Sequence, residues 1–168
     1  MKRVLIIGSG GAGKTTVAKA LAARTGLPLI HLDQLFWSPG WVPTPDHDWD
    51  ALIQRLIGQD QWIMDGNYGR TLPTRLTAAD TIIFLDLPRL VCVWRILARR
   101  WRYFGRSRPD VAPGCPEHLT LEFLGWVWTY PSRRRPDILR RLESVRSEKE
   151  VVILQSAREV ERFLATIP

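Results

Sequence analysis

Short apolar runs alternate along the chain with longer stretches in which apolar residues recur every three or four positions. A short apolar run that ends at a glycine or a carboxylate is typical of a buried parallel strand, and the longer spacing is typical of an amphipathic helix. Five runs predict strands, at residues 4–7, 27–32, 61–64, 81–85 and 151–154. Strands that alternate with helices favour an α/β fold, here a five-stranded parallel sheet with helices on both faces.

The helices are predicted from the same periodicity and from their boundary residues. Residues 14–24, 90–103, 117–128, 136–145 and 157–165 have helical spacing, and residues 49–57 form a further helix capped by Asp46 or Asp48. We expect a break at Pro131, because proline lacks the backbone N–H that a helix needs. Residues 36–45 and 104–116 are rich in proline and glycine and are predicted to be loops.

Polar residues follow the carboxyl ends of the predicted strands. Ligands of open parallel sheets bind at this edge, so these residues are the first candidates for a functional site. They are Gly8, Asp33, Asp65, Asp86 and the pair Gln155 and Ser156.

Composition limits where the protein works. The 168 residues suit one domain with one core, and no apolar run approaches the roughly 20 residues of a membrane-spanning helix. The first apolar run follows directly after Met-Lys-Arg and is too short for a secretory signal. We therefore expect a cytoplasmic protein without membrane contact, in which Cys92 and Cys115 are reduced thiols.

Positive charge is concentrated in one part of the chain. The net charge is +7, and residues 89–141, here called the arginine-rich segment, hold twelve arginines against four acidic residues. Such a segment can bind nucleic acid, or it can close over the phosphates of a small ligand through bidentate arginine hydrogen bonds. The charge alone leaves both interpretations open.

Residues 8–15 read Gly-Ser-Gly-Gly-Ala-Gly-Lys-Thr and match a phosphate-binding P-loop. Glycines allow the backbone N–H groups to surround an anion, and the following helix directs its positive end at the same place. The context is also right, because the motif lies between a predicted strand and a predicted helix. We expect these residues to bind the phosphates of ATP: Gly8, Ser9, Gly10, Gly11, Ala12, Gly13, Lys14, Thr15 and Thr16.

Two aspartates are candidates for organising a magnesium ion next to the P-loop. The Thr15 hydroxyl is one expected ligand, and a carboxylate at a neighbouring strand end is the usual second group. Asp65 and Asp86 each end a strand, and Asp65 is the preferred choice.

The acceptor of a phosphoryl group is expected near Asp33. This carboxylate either acts on an acceptor hydroxyl, as a base or hydrogen-bond acceptor, or caps the following residues. Trp37 and Trp41 lie in the predicted loop beyond it and can stack on a planar or sugar-like molecule. His31 alternates within the preceding strand, which favours a structural role.

Several arginines are candidates for stabilising the transferred phosphoryl group. Arg95 and Arg99 share one helix face, and Arg106 and Arg108 follow in the predicted loop. Arginines that close over a phosphoryl group neutralise its charge and exclude water. Three more, Arg133, Arg134 and Arg135, precede the next helix.

Five segments together resemble the adenylate-kinase-related P-loop proteins of the DNA topology modulation group. They are the P-loop with Thr16, His-Leu-Asp-Gln-Leu-Phe-Trp at 31–37, Met-Asp-Gly-Asn-Tyr at 64–68, Phe-Leu-Asp-Leu-Pro at 84–88, and the ten residues 106–115. The resemblance covers nearly the whole chain. More broadly, the chain is similar to nucleoside monophosphate kinases and to small-molecule kinases such as shikimate kinase.

The resemblance implies roles for particular residues. Arg95-Ile-Leu-Ala-Arg99 matches an adenylate kinase helix whose two arginines contact phosphates and the base. The loop after the last strand, with Ser156 and Arg158, would lie along the adenine. Arg70 is displaced by one position from the arginine of the related Asp-Gly-Phe-Pro-Arg motif, and the acceptor of the family does not carry over.

A kinase is the leading functional hypothesis. It predicts a P-loop kinase domain over residues 1–168, with an acceptor side at about 33–60 and an arginine-rich helical lid at about 101–135. Mg-ATP and an unidentified small-molecule or nucleotide acceptor are the expected partners of a monomer or homodimer. The alternatives are an ATP-dependent regulator that contacts DNA through the arginine-rich segment and a slow ATPase without an acceptor.

Overall fold

The computed structural model describes residues 1–103, 111–116 and 119–167. A five-stranded parallel sheet lies at its centre, in the order β2-β5-β1-β6-β7, and β3 and β4 form a separate antiparallel hairpin. The described strands, in chain order, are β1 (Arg3–Gly8), β2 (Leu29–His31), β3 (Trp37–Ser38), β4 (Val42–Pro43), β5 (Trp62–Asp65), β6 (Thr81–Leu85) and β7 (Glu150–Leu154).

Helices connect the strands and cover both faces of the sheet. In chain order the described helices are α1 (Lys14–Thr25), α2 (Leu32–Phe36), α3 (Asp46–Ile57), α4 (Leu72–Ala78), α5 (Arg89–Arg102), α6 (Leu121–Arg133), α7 (Arg135–Val145) and α8 (Ala157–Thr166). The predicted α/β fold class is confirmed.

The alternation of side chains along each strand divides the core into two layers. In β1, Val4 and Ile6 face one layer, whereas Leu5 and Ile7 face the other. The first layer packs against α1, α5 and α8, and the second against α3, α4 and α7. Strands with apolar residues on both faces must be covered on both faces, which accounts for the continuous apolar runs in the sequence.

The five predicted strands are confirmed, but one predicted loop was wrong and one helix was missed. Residues 36–45, predicted to be a loop, contain the end of α2 and the β3–β4 hairpin, in which Trp37 pairs with Pro43. The turn is possible because Gly40 and Trp41 have φ angles of 79° and 63°. Helix α4 was not predicted, because its seven residues are too few to establish a periodicity.

The boundaries of α6 and α3 also differ from the prediction. Helix α6 continues through Pro131 to Arg133, and the break comes at Arg134. A proline so close to the end of a helix removes only one intrahelical hydrogen bond, so it need not end the helix where it stands. Helix α3 begins at Asp46 itself, with Pro45 at the N-cap and no side-chain cap, so neither Asp46 nor Asp48 caps it.

No helix in the described ranges is long and apolar enough to cross a membrane.

Candidate functional site

The P-loop connects the end of β1 to the start of α1, and its glycines are required by their surroundings. Gly8 and Gly11 have φ angles of 151° and 75°, in the region that side chains disfavour. A Cβ atom at Gly8 would lie 2.6 Å from the Leu85 carbonyl oxygen of β6, and one at Gly11 would collide with the Cys92 carbonyl of α5. The loop therefore keeps its shape because two neighbouring elements pack directly on its backbone.

The loop and the start of α1 form the floor of a large cavity of about 1160 Å³. Helix α1 begins after Gly13, which provides no side-chain cap, so its first backbone N–H groups lack that partner. Residues 10–16 line the cavity. Backbone donors and a positive helix end directed into a cavity are the features that bind phosphate groups.

Lys14 lies folded over the P-loop. Its Nζ atom donates hydrogen bonds to the carbonyl oxygens of Gly8 and Ser9, both at 3.0 Å. Burial lowers the pKa of Lys14 below its ordinary value, although the carboxylates of Asp33 and Asp65 oppose that shift. The ammonium group is thus placed between the phosphate cradle and two carboxylates.

Thr15, Asp65 and His31 form a connected set at the end of β5. The Thr15 hydroxyl donates to Oδ2 of Asp65 at 2.9 Å, and Nδ1 of His31 lies 2.8 Å from Oδ1 of the same carboxylate. Asp65 is buried, with 5% of its surface exposed. The parallel register brings His31 level with Asp65, so the strand pairing itself assembles this contact. The predicted structural role of His31 is thus specific: it orients Asp65.

Asp86 has different partners although it also follows a central strand. The guanidinium of Arg135 donates through Nε to both carboxylate oxygens, at 2.8 and 2.9 Å, and Gln155 donates to Oδ2 at 3.1 Å. Asp86 is therefore occupied in joining α7 to the sheet, whereas Asp65 lies next to Thr15.

Magnesium fits the donors at Thr15 and Asp65. In the described part of the chain, no three His, Cys, Asp or Glu side chains are grouped as a metal site would require. Mg²⁺ in phosphate-binding sites needs no such group, because one or two protein oxygens suffice when phosphate and water supply the rest. A hydroxyl and a carboxylate 2.9 Å apart beside the phosphate cradle meet that requirement.

Asp33 lies in the first turn of α2 and faces the cavity. The N-cap of α2 is His31 and has no side-chain cap bond, so Asp33 does not serve as a cap. Its Oδ1 atom accepts a 2.6 Å hydrogen bond from the Tyr68 hydroxyl. Burial, followed by the charge of Asp33, raises the pKa of Tyr68, which keeps the phenol protonated and donating.

The loop that carries Tyr68 is held by two residues that sequence reasoning missed. Asn67 pairs with the Gly8 backbone, accepting from its N–H at 3.0 Å and donating to its carbonyl at 2.6 Å. Arg75 on α4 is fully buried and donates to the backbone carbonyls of Gly66, Asn67 and Tyr68. A lone arginine between the apolar Leu72 and Leu76 was the available signal for this role.

The aromatic residues of the β3–β4 hairpin line the cavity beyond Asp33. Trp37 and Trp41 pack edge to face, with ring centroids 5.4 Å apart, and both contact the buried cluster of Val111, Ala112 and Cys115. The Trp41 indole N–H donates to the Pro116 carbonyl at 3.1 Å. Residues 111–116 therefore hold the hairpin in place from the side of the arginine-rich segment.

Arg95 and Arg99 of α5 lie on the side of the helix that faces the P-loop. Arg95 donates to the Ala12 carbonyl at 3.1 Å, and Arg95, Arg99 and Arg102 line the cavity. The charge of Arg99 is one of the influences that lower the pKa of Lys14, which places the two cations near each other. Two predicted lid residues, Arg106 and Arg108, lie outside the described residues.

Other arginines of the segment bind neighbouring side chains instead. Arg89 stacks on the Trp128 ring at 4.3 Å, and Arg135 pairs with Asp86. Arg133 and Arg134, at the junction of α6 and α7, are exposed. Among the described arginines of the segment, some therefore face the cavity and others bind neighbouring side chains.

Helix α8 forms the far wall of the cavity. Ala157, Val160 and Leu164 line it, whereas Ser156 and Arg158 do not. The Ser156 hydroxyl accepts from the Glu159 N–H at 3.2 Å and so caps α8. The nucleotide contacts expected of Ser156 and Arg158 stay predictions. The α8 wall of the cavity also includes Glu161 beside the three apolar residues.

Comparison with known structures identifies the fold. An unliganded sugar kinase from Janibacter sp. has a TM-score of 0.52 and 22% identity, over 98% of this chain and 93% of that one. A gluconokinase from Sinorhizobium meliloti has a TM-score of 0.50 and 22% identity, over 98% and 91%. No protein-family model matches the chain, and no curated protein gives a significant match. At this level of identity the likeness establishes one conclusion, that the chain shares the α/β fold of these two kinases.

Proposed function

We propose that the protein is an Mg-ATP-dependent kinase that transfers the γ-phosphoryl group to a small-molecule or nucleotide acceptor. The observation that carries the proposal is a continuous cavity, with the P-loop at its floor, cavity-facing arginines on one side and Asp33 on the other. The names of the two structural neighbours, a sugar kinase and a gluconokinase, agree with phosphoryl transfer to a small molecule.

The P-loop and Lys14 bind the phosphates of the nucleotide. Backbone N–H groups at the start of α1 hold the anion, and the Lys14 ammonium moves from the carbonyls of Gly8 and Ser9 to the terminal phosphates. Thr15 and Asp65 hold magnesium, which when bound neutralises phosphate charge. His31 keeps the Asp65 carboxylate oriented through its 2.8 Å contact.

Asp33 acts on the acceptor. Tyr68 occupies one of its oxygens, which orients the carboxylate and leaves the other for an acceptor hydroxyl. As the acceptor oxygen bonds to the γ-phosphorus, the bond from that phosphorus to the bridging oxygen of ATP breaks. The hydroxyl proton passes to Asp33, and ADP leaves with the electron pair of the broken bond.

Arg95 and Arg99 stabilise the transferring group. Their placement on the cavity face of α5, above the P-loop, suits cations that neutralise charge on the equatorial phosphoryl oxygens. Closure of residues about 101–135 as a lid would exclude water during transfer. Several arginines of the same segment are paired with neighbouring side chains of this chain, Trp128, Asp86 and Asp137, which favours a lid over a DNA-binding stripe.

A phosphoryl-transfer screen tests the proposal. Labelled ATP and Mg²⁺ are incubated with nucleosides, nucleotides and small hydroxyl metabolites, and phosphorylated products are separated from free phosphate. Lys14→Ala should abolish transfer while the fold is retained, and Lys2→Ala, which removes an exposed lysine far from the cavity, should not. Equal transfer by wild type and Lys14→Ala would refute the P-loop assignment.

The arginines provide a second test. Arg95→Ala and Arg99→Ala should lower kcat more than ATP affinity, because charges that meet the transferring group act chiefly in the transition state. Loss of duplex DNA binding with unchanged phosphoryl transfer would instead favour the regulatory alternative.

A further inference from the structure

Charge is unevenly distributed around the cavity. Among the described residues that line it, every lysine and arginine belongs to α1 or α5; these are Lys14, Lys19, Arg95, Arg99 and Arg102. The opposite side, formed by α2, the β3–β4 hairpin and the end of β5, contributes the carboxylates of Asp33 and Asp65. Glu122 of α6 and Glu161 of α8 also line the cavity, so carboxylates occur on both sides, whereas the described cations lie on the nucleotide side alone.

The arginines nearest to the acceptor side are committed to other contacts. Arg75 is buried, and its guanidinium donates to three backbone carbonyls. Arg70 is paired with Asp46 and Asp50 on the outer face of α3, at 2.8 and 2.7 Å, and does not line the cavity. Neither is placed to bind a phosphate or carboxylate group of an acceptor.

Aromatic and hydrogen-bonding groups make up the rest of this side. Trp37 and Trp41 present rings to the cavity, and Tyr68 is fixed against Asp33. Within the described part of the chain, the second oxygen of the Asp33 carboxylate has no hydrogen-bond donor. An apolar ring surface beside a carboxylate with a free acceptor oxygen suits a molecule that has an apolar face and several hydroxyl groups.

We propose that the acceptor is an uncharged polyhydroxylated molecule, such as a sugar, polyol or nucleoside, that carries no phosphate or carboxylate group. This inference rests on the proposed kinase function and narrows its substrate. A hydroxyl group hydrogen-bonds to Asp33, and the apolar face of the acceptor packs on Trp37 and Trp41. An acceptor anion would be repelled by the Asp33 carboxylate, and no described residue on that side of the cavity contributes a compensating cation.

Matched pairs of acceptors test this inference directly. Ribose is compared with ribose 5-phosphate, glucose with gluconate, and adenosine with adenosine monophosphate, in the labelled-ATP transfer assay. In each pair with a member that the enzyme phosphorylates, the kcat/KM for the neutral member should be at least about tenfold higher than for the anionic member. Placing a like charge in a partly desolvated site lowers kcat/KM by that factor or more. Each anionic member should also compete with the neutral substrate at least about tenfold more weakly than a neutral analogue does.

Charge-removing variants identify the cause of the preference. Asp33→Asn should slow the use of neutral acceptors and strengthen competition by the anionic ones, because it removes the repelling charge. Asp60→Asn makes the same change at an exposed position outside the cavity and should alter neither. Competition is a binding measurement, so it remains readable when Asp33→Asn transfers slowly.

The outcomes separate this inference from the proposed function. Faster transfer to the anionic members would overturn the inference and leave the kinase proposal standing. In that case the double variant Arg106→Gln/Arg108→Gln tests which cations bind the anionic acceptor. If this variant no longer prefers the anionic acceptors, Arg106 and Arg108 are the residues that bind them. Absence of transfer to these pairs and to every other acceptor in the phosphoryl-transfer screen would overturn the kinase proposal and the inference with it.

Discussion

Asp65 and Asp86 form a natural pair for testing the metal assignment, because both follow central strands and only their partners differ. Asp65 contacts Thr15 and His31 at 2.9 and 2.8 Å, whereas Asp86 contacts Arg135 and Gln155. We expect Asp65→Asn to damage phosphoryl transfer and Asp86→Asn to damage stability. The two variants remove the same charge from the ends of β5 and β6, the strands on either side of β1, so each is the control for the other.

The expected magnitudes follow from these contacts. Asp65→Asn keeps an acceptor oxygen and nearly the same shape, so its stability loss should not exceed about 1 kcal/mol. Losing the carboxylate beside Thr15 should lower kcat at least about 100-fold, or ~2.7 kcal/mol in the activation barrier. Asp86→Asn loses the charge of a paired carboxylate, but the Arg135 side chain is 36% exposed. Solvent screening therefore limits its cost to about 1–2 kcal/mol of unfolding free energy.

Two measurements on both variants test whether Asp65 or Asp86 organises the magnesium ion. Urea unfolding followed by circular dichroism gives the stability change, and transfer of labelled phosphate at increasing magnesium concentration gives kcat and the apparent metal affinity. Asp65→Asn should need more magnesium and still fall short of the wild-type rate. Asp86→Asn should keep its rate within about threefold and shift the unfolding midpoint. The reverse pattern, with magnesium dependence lost in Asp86→Asn and retained in Asp65→Asn, would refute the assignment.

Three further predictions test the support around the site. Arg75→Met should destabilise the protein by about 2–4 kcal/mol in urea, because three buried carbonyls lose their donor. Arg70→Met, at an exposed position, should leave the unfolding midpoint almost unchanged, and equal effects of the two would contradict the role of Arg75. Asn67→Ala should raise the KM for ATP more than it lowers kcat, since it frees the Gly8 backbone at the P-loop. An unchanged KM would contradict this role of Asn67 in holding the P-loop. Burial opposes ionisation of Asp80, but hydrogen bonds from the Arg3 and Lys2 N–H groups and from Thr81 bring its pKa below the ordinary 3.8. Its stabilisation is therefore present above about pH 4 and lost as the pH falls, and Asp80→Asn should flatten acid unfolding below that pH.

The sequence located the strands, and the glycine-rich turn between β1 and α1, because both depend on local patterns. A strand buried on both faces needs a continuous apolar run, and residues 4–7 and 81–85 have one. The β3–β4 hairpin was not predicted because each of its strands has only two residues. The residues that support it, 111–116, lie far along the chain. Periodicity cannot reveal an element that is held by distant contacts.

Side chains that act on backbone groups were the hardest to find. The apolar Leu72 and Leu76 were the one local signal around Arg75, and they do not show that it is buried beneath the loop at residues 66–68, because that burial arises when α4 packs on the second core layer. Asn67 likewise has a role only because β1 and β5 are adjacent strands, which brings its amide to the Gly8 backbone.

The chain by itself determined the α/β fold, the P-loop and the set of polar residues at the strand ends, since each follows from residue spacing and backbone sterics. The tertiary structure alone decided which strand-end carboxylate joins the P-loop. Asp65 and Asp86 occur in similar sequence settings, and the difference between them arises because Arg135, contributed by α7, lies against Asp86, while strand pairing brings His31 level with Asp65. The tertiary structure also decided how charge is distributed around the cavity, because α1 and α5 lie across the cavity from α2 and the hairpin only after folding.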